Sequence, residues 1–298
     1  MDTQVKISVV IGSYNNAEPL AKVLAGFSKQ KRSVPFEVIV VDSESSDGSL
    51  SQFDGQKFPF EFKPITQKNQ GTATARNRGV AEAKSEYIII TDADMIPAPG
   101  FVQAHYDAHQ AAKRPCCFEG LAWNLPSLDW PPNPKTLRPQ VGTHPKNGAK
   151  LGWWYFLTGN ISMPKSVFEN AQGFSRDFKG YGWEDLELGY RLVKKEGIPF
   201  YYLRTAVNYH YHVLNADADI QRCVRKGESA KIVLKKHPEL KTFLGINPLS
   251  KFIYKSIHPK TKLHQAIQGW LESDTAWKRR FSTWFLKEYY YLSGLLGK

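Results

Sequence analysis

The stretch Glu86-Tyr-Ile-Ile-Ile-Thr-Asp-Ala-Asp-Met-Ile-Pro97 decides the fold: an uncharged run of Tyr and Ile ends abruptly in two carboxylates, Asp92 and Asp94. Tyr and β-branched Ile without charge read as a strand buried on both faces, and such strands belong mostly to parallel sheets. The carboxylates then lie at the strand's carboxyl end, where open α/β sheets bind ligands. One residue separates the two acids, so along an extended chain their side chains point the same way, and two anions on one side favour a cation between them. A divalent metal meets that need. For an Asp-x-Asp taken alone, a polar turn closed by Asp94 and Pro97 is the reading to prefer over a metal site; the rest of the chain shifts the balance.

Working outward, residues 5–11 read as a first buried strand, left through Gly12-Ser-Tyr-Asn-Asn16, and residues 17–27 as an amphipathic helix with Leu20, Val23, Leu24 and Phe27 on one face. Residues 36–41 form a second β-branched run, closed by Asp42 and a turn-rich segment; 60–65 is a weaker strand, and 70–84, entered through Gly71, a helix. Strands alternating with helices imply a parallel sheet with right-handed crossovers. In that sheet the loops after the first, second and fourth strands converge on one edge, bringing residues 13–15, Asp42 and the Asp92/Asp94 pair together. Neither G-x-G-x-x-G nor G-x-x-x-x-G-K-[ST] occurs, so phosphates in this crevice are expected to be neutralised by metal and Arg rather than cradled by a glycine loop.

Downstream, residues 115–152 are dense in Pro and Trp and read as irregular, with neither a long helix nor a central strand. Residues 184–196 read as a helix opening on Glu184 and Asp185. Acids in a first helical turn are favoured by the macrodipole and often do nothing more, but the glycines and Trp183 just before them offer the backbone freedom and flat apolar surface that a sugar site needs. Residues 206–213 alternate as a strand, placing His210 and His212 on one face, where either is a candidate ligand.

Composition sets the outer bounds. The 298 residues, 42% hydrophobic with 39 aromatics, exclude a disordered chain. Three cysteines without C-x-x-C spacing fit a reducing compartment, and no run approaches the roughly 18 apolar residues of a spanning helix. The expectation is a cytoplasmic protein. Of the net +12 charge, residues 215–298 carry +9, with 16 Lys and Arg against 7 Asp and Glu. This basic tail mixes cations with Trp270, Trp277, Phe281 and Trp284, as interfacial helices do.

Five motifs stand in order: Ser8-Val-Val-Ile-Gly-Ser-Tyr-Asn-Asn16, Val40-Val-Asp-Ser-Glu-Ser-Ser-Asp-Gly48, Asn69-Gln-Gly-Thr-Ala-Thr-Ala-Arg-Asn77, Thr91-Asp-Ala-Asp94 and Gly180-Tyr-Gly-Trp-Glu-Asp-Leu-Glu-Leu188. Together they resemble family 2 glycosyltransferases of the GT-A fold, the last being similar to the W-G-x-E-D segment of galactosyltransferases and chondroitin polymerases. The resemblance spans residues 5 to about 213. It implies an α/β, Rossmann-like, mostly parallel sheet with flanking helices in a catalytic domain over 1–214, nucleotide-binding through 1–100 and acceptor-binding through 101–214. Residues 215–298 then form a basic, mainly helical region.

The implied reaction is inverting transfer of a sugar from a UDP-linked donor to an acceptor hydroxyl. Ser13, Tyr14, Asn15 and Asp42 would face the nucleotide, Arg76 the diphosphate or sugar, and Asp92 the ribose or sugar. Asp94 would ligate a metal completed by His210 or His212, with Mn²⁺ favoured over Mg²⁺ because an imidazole joins the carboxylate. Asp185 would be the general base, Glu184 would contact hydroxyls, and Trp153, Trp154 and Trp183 would flank the acceptor. A glycan or glycolipid acceptor of cell-surface or capsular type, made at the inner face of an anionic membrane on which the tail docks, completes the expectation. Nucleic acid is not the expected partner. A different class, a basic nucleic-acid- or membrane-surface-binding protein on an α/β scaffold without transferase activity, is the alternative that the tail keeps open. Two departures from the family pattern stand out: Ser43 where many members carry a second Asp, and Gln70 between Asn69 and Gly71.

Overall fold

A computed structural model describes residues 4–31, 33–129, 131–139, 145–211 and 216–297, and the chain divides into two compact units. The larger comprises residues 1–179 and 184–213, the smaller 180–183 and 214–298. In the larger unit the strands are β1 (Ile7–Ser13), β2 (Phe36–Asp42), β3 (Glu61–Thr66), β4 (Tyr87–Asp92), β5 (Met95–Pro97), β6 (Cys117–Leu125), β7 (Arg138–Pro139), β8 (Ile161–Pro164) and β9 (Phe200–Tyr211). The helices are α1 (Ala17–Ser28), α2 (Thr72–Ala81), α3 (Phe101–Ala111), α4 (Lys165–Asn170) and α5 (Glu184–Tyr190), the last running on into a π-helical turn over Arg191–Lys195.

The strands form one mixed sheet in the order β3-β2-β1-β4-β8-β6-β9-β5, with β7 beside β6. The expected parallel sheet is its β3-β2-β1-β4 half. There the register sets Ser13 opposite Asp42 and Gly12 opposite Asp92, so three strand ends stand level along one edge. Only Ala93 and Asp94 separate β4 from β5, yet three strands, β8, β6 and β9, lie between them in the sheet. The sheet must therefore curl round the Asp92–Asp94 turn, and β5 closes the curl by pairing Met95 with His210 of β9.

The structure corrects the reading of residues 115–152. Cys117–Leu125 is a strand inside the sheet, between β8 and β9. Its composition is apolar, and after Pro115 the prolines of this stretch all fall beyond Leu125, so a density averaged over the whole stretch hid it.

A buried polar node fixes this curl. Asn160, fully buried, donates through Nδ2 to the carbonyls of Leu121 (3.3 Å) and Ala206 (3.0 Å) and to Asn208 Oδ1 (3.0 Å), tying β6 to β9. The node demands glycine at position 120, where a Cβ would stand 2.1 Å from Asn160 Oδ1, and the β6–β9 register shifts at that point. With its amide nitrogen spent, Asn160 accepts through Oδ1 from His105 Nε2 (3.0 Å). His105 Nδ1 must then accept from Ser162 Oγ (2.8 Å), which in turn accepts from His109 Nε2 (2.9 Å), so the proton order of the whole chain follows.

The smaller unit consists of α6 (Ala216–Lys236), α7 (Pro248–Ser256), α8 (Lys262–Gly269) and α9 (Ala276–Leu296), together with Gly180–Trp183. Helices α6 and α9 meet backbone to backbone. A Cβ on Gly227 would fall 2.0 Å from the Tyr291 carbonyl, and one on Gly294 2.0 Å from that of Val224. Among the described residues no helix is long and apolar enough to cross a membrane.

Burial drives the histidines of the node towards the neutral form, His105 down to about 4 and His109 to about 3. Unfolding lets both ionise near 6.5, so below that pH the unfolded chain binds more protons and stability is lost as pH falls. Urea melts between pH 6.5 and 4 are expected to show up to about 1.4 kcal/mol lost per pH unit per histidine. His109→Phe, which keeps the ring stacked 4.7 Å from Tyr87, should remove about half of that slope; an undiminished slope contradicts the assignment.

Candidate active site

The level edge of the parallel half brings the first group together. Ser13 ends β1, and its backbone carbonyl accepts from Ser43 N (2.9 Å). The loop after β1 is laced to the loop after β2: Asn15 N donates to Ser45 Oγ (2.8 Å), Ser46 N to Asn15 Oδ1 (2.9 Å) and Ala17 N to Asp47 Oδ2 (2.8 Å). Asp42 is buried and spends both carboxylate oxygens on Ser45, from its N–H (2.8 Å) and its hydroxyl (2.5 Å). It shapes the turn. Tyr14 stands exposed.

Two buried polar atoms on this edge make no hydrogen bond among the described residues, Ser13 Oγ and Gln67 Nε2. Gln67 follows β3, and its N–H donates to the Asp42 carbonyl (2.9 Å). A buried donor without a partner carries a desolvation cost that a ligand removes. Gln67 escaped the sequence reading because it lies outside every motif.

The second group centres on Arg76 of α2, whose side chain is 5% exposed. Its Nη2 lies 2.5 Å from Asp92 Oδ1 and its Nη1 3.2 Å from Glu184 Oε1. Burial works against the guanidinium's charge, but Asp92 and Glu184 more than offset it and raise its pKa. Helix α5, which carries Glu184 and Asp185, is held by Arg191. That guanidinium clasps Glu187 twice at 2.9 Å and donates to the carbonyls of Ala171 and Gly173. Trp183, the residue before α5, adopts φ 73°, and Asn15 and Glu44 are likewise in the left-handed region. Strain of this kind gathers where the surroundings over-determine a conformation.

Asp185 accepts from Leu186 N (2.7 Å). Burial, then the adjacent charge of Glu184, pushes its carboxyl up to about 7. Glu119 of β6, which the sequence reading missed, is buried, accepts from Leu157 N (3.3 Å) and is raised well above the carboxylate range by burial and by the charges of Asp185 and Asp92. Arg76, paired with Asp92 and Glu184, also feels the charge of Asp185, so one guanidinium meets three carboxyl groups. The crevice keeps an excess of negative charge.

Asp94 sits at the turn into β5, and its Oδ2 lies 3.5 Å from His210 Nε2. His212 is outside the described residues. Among the described residues no group of three His, Cys, Asp or Glu forms a metal cage; Asp94 and His210 bring two groups of metal-ligating type together. Of the three tryptophans, Trp153 is buried against Tyr190 (5.2 Å) and Trp154 is 51% exposed. Trp183 is buried within the smaller unit against Phe243 and Tyr291, with Lys226 Nζ 5.5 Å from its ring centre. Trp154 is the one with a free face.

The sequence matches the profile of "Glycosyl transferase family 2" over residues 8–170, and that of "N-terminal domain of galactosyltransferase" over 140–213, which contains the W-G-x-E-D-like segment. It is 30% identical over 270 residues to validoxylamine A glucosyltransferase of Streptomyces hygroscopicus subsp. jinggangensis, covering 78% of this chain and 61% of that protein. The chain thus spans about three fifths of that relative's length. In structure it resembles a mannosyltransferase of Pyrobaculum calidifontis solved with GDP-Man and Mn²⁺, with TM-score 0.64, 16% identity and coverage of 99% and 90% of the two chains. It also resembles TarS of S. aureus solved with UDP, with TM-score 0.56, 13% identity and coverage of 99% and 92%. These likenesses establish the GT-A fold.

Removing Arg76 leaves carboxylates in the crevice uncompensated. Arg76→Ala is expected to cost about 3–5 kcal/mol, the range for breaking one side of a buried pair. Glu119→Gln replaces a carboxyl that burial drives towards the neutral form with its isostere and, because the unfolded chain no longer gains by ionising there, should raise the melting temperature at pH 7.5. Calorimetry of both variants checks this, and a Glu119→Gln loss as large as that of Arg76→Ala means that Glu119 is ionised.

Proposed function

The chain belongs to glycosyl transferase family 2, and we propose that it transfers a sugar from a UDP-linked donor to an acceptor hydroxyl with inversion, Asp185 acting as general base. The observation that carries the proposal is the state of Asp185, a carboxyl lifted to about 7 beside a salt-bridged Glu184. A base is most effective when its pKa lies near the working pH. In the proposed step the acceptor proton passes to Asp185 as the acceptor oxygen bonds to the anomeric carbon, and the bond from that carbon to UDP breaks. Glu184, held by Arg76, contacts acceptor or donor hydroxyls, and Arg76 and Asp92 face the donor sugar. Ser13, Tyr14, Asn15, Asp42 and Gln67 form the nucleotide end, and Trp154 offers the exposed ring on which an acceptor sugar can stack.

An excess of carboxylate repels a nucleotide diphosphate unless a cation accompanies it. Asp94 and His210, with His212 a further candidate, are the residues that would hold a divalent metal, and one imidazole beside a carboxylate suits Mn²⁺ better than Mg²⁺. When bound, such an ion stabilises the charge on the departing diphosphate. The relatives solved with Mn²⁺ and with UDP support both parts of this reading. The acceptor we propose is a cell-surface or capsular glycan or glycolipid, met by a peripheral enzyme whose basic C-terminal unit rests on the anionic inner face of a membrane.

Thermal unfolding with Mn²⁺, UDP and both together tests the donor site by linkage. A shift is expected only with both ligands, and is expected to vanish in Asp94→Ala; no shift with UDP, GDP or CDP removes the proposal.

For the base, kcat/KM should rise as pH passes through about 7, and Asp185→Asn should lower kcat by roughly 10²–10⁴-fold. Because the folded state holds this proton more tightly than the unfolded chain, stability is lost as pH rises towards 7. Asp185→Asn should therefore melt a few degrees higher than wild type at pH 8. An inactive variant that melts lower would point to a structural role instead.

A further inference from the structure

The smaller unit contains a cavity of about 660 Å³ among α7, α8 and α9, within the roughly 300–1,000 Å³ of small-ligand sites. Ile253, Ile267, Phe285 and Leu292 are among its walls, and apart from tyrosines its polar lining consists of Ser250 and Glu288. Such a wall offers a sugar or nucleotide few hydrogen bonds. A hydrocarbon chain needs none.

The same cavity is lined by side chains that a folded unit would ordinarily cover. Trp277 and Trp284 are each 59% exposed and Leu263 54%. Trp277 packs edge-on to Trp270 (5.8 Å), and Lys278 Nζ lies 5.7 Å from the Trp270 ring centre and 6.0 Å from that of Trp277. Residues 248–284 carry seven Lys and Arg against two Asp and Glu. Aromatic rings bearing cations beside an apolar pocket are the arrangement that sits at a membrane–water boundary, rings among the headgroups and ammonium groups towards phosphate. The charge also selects the occupant. A second copy of this chain would bring the same excess of cations and be repelled, whereas an anionic lipid surface complements it.

We propose that this cavity takes one hydrocarbon chain of an anionic phospholipid, drawn from the membrane face on which the unit rests. The inference rests on the membrane part of the proposed function and is independent of the donor site.

The full-length protein is mixed with vesicles of phosphatidylcholine alone or with phosphatidylglycerol, using lipids brominated on the acyl chain to quench tryptophan on contact. Sedimentation with the phosphatidylglycerol vesicles is expected, together with strong quenching. Trp277→Phe/Trp284→Phe should keep binding and lose much of the quenching, and Leu263→Glu should weaken binding at least tenfold with an unchanged melting temperature, its side chain being exposed. Sedimentation without chain quenching overturns the cavity proposal in favour of surface charge alone. Equal binding to neutral vesicles overturns the anionic specificity. No vesicle binding, with or without salt-sensitive binding to single-stranded nucleic acid, overturns the membrane reading as well. The thermal shift with UDP and Mn²⁺ would survive any of these failures.

Discussion

One buried guanidinium holds the candidate active site together. Arg76 reaches from α2 to Asp92 at the end of β4 and to Glu184 at the start of α5, residues 108 positions apart from it in the latter case. Without it, Asp92 and Glu184, carboxylates from different elements, would lose the guanidinium that pairs with both. The guanidinium does not balance them all. The upward shifts of Glu119 and Asp185 relieve part of the remaining repulsion, and what is left favours the proposed cation. The acidity of the site, its proposed metal and its proposed base are thus one electrostatic problem solved three ways.

The curl of the sheet sets where those charges can meet. A flat sheet would hold β5 apart from β4, and the Asp94 turn would open to solvent. The Asn160 node prevents this by saturating an amide with partners on β6 and β9, and by extending through His105, Ser162 and His109 into α3. Each bond is modest, but leaving any of these buried groups unpaired is costly, so the network selects one curvature over others. Because β5 pairs with β9, the same curvature brings Asp94 beside His210.

What the sequence disclosed and what it hid divide along these lines. The parallel half was legible: runs rich in β-branched residues, each closed by a carboxylate or a small polar residue, identify their own strand ends. The Asp94–His210 approach was legible only as two candidates, because the pairing that joins them is made between residues more than a hundred positions apart. Cys117–Leu125 was obscured by the prolines that follow it, and Glu119 with it. Gln67 carries no local signal at all; only the register of β2 and β3 places it against Asp42. Burial was not legible for the tryptophans: the sequence offers Trp153, Trp154 and Trp183 alike as flat surfaces, and packing covers Trp153 and Trp183 while Trp154 stays exposed.

Charge is segregated along this chain as sharply as structure. The last 84 residues carry +9 of the net +12, so the larger unit, with its acidic crevice, is nearly balanced. Exposed charges act over only about 8–10 Å at physiological salt, so the basic unit acts chiefly on what lies against it. Exposed tryptophans stand among the cations of these helices, and a purely ionic partner would leave those rings in water. The proposed membrane surface, both anionic and apolar, satisfies the two features at once, and it is a ligand of a different chemistry from the one proposed for the acidic crevice.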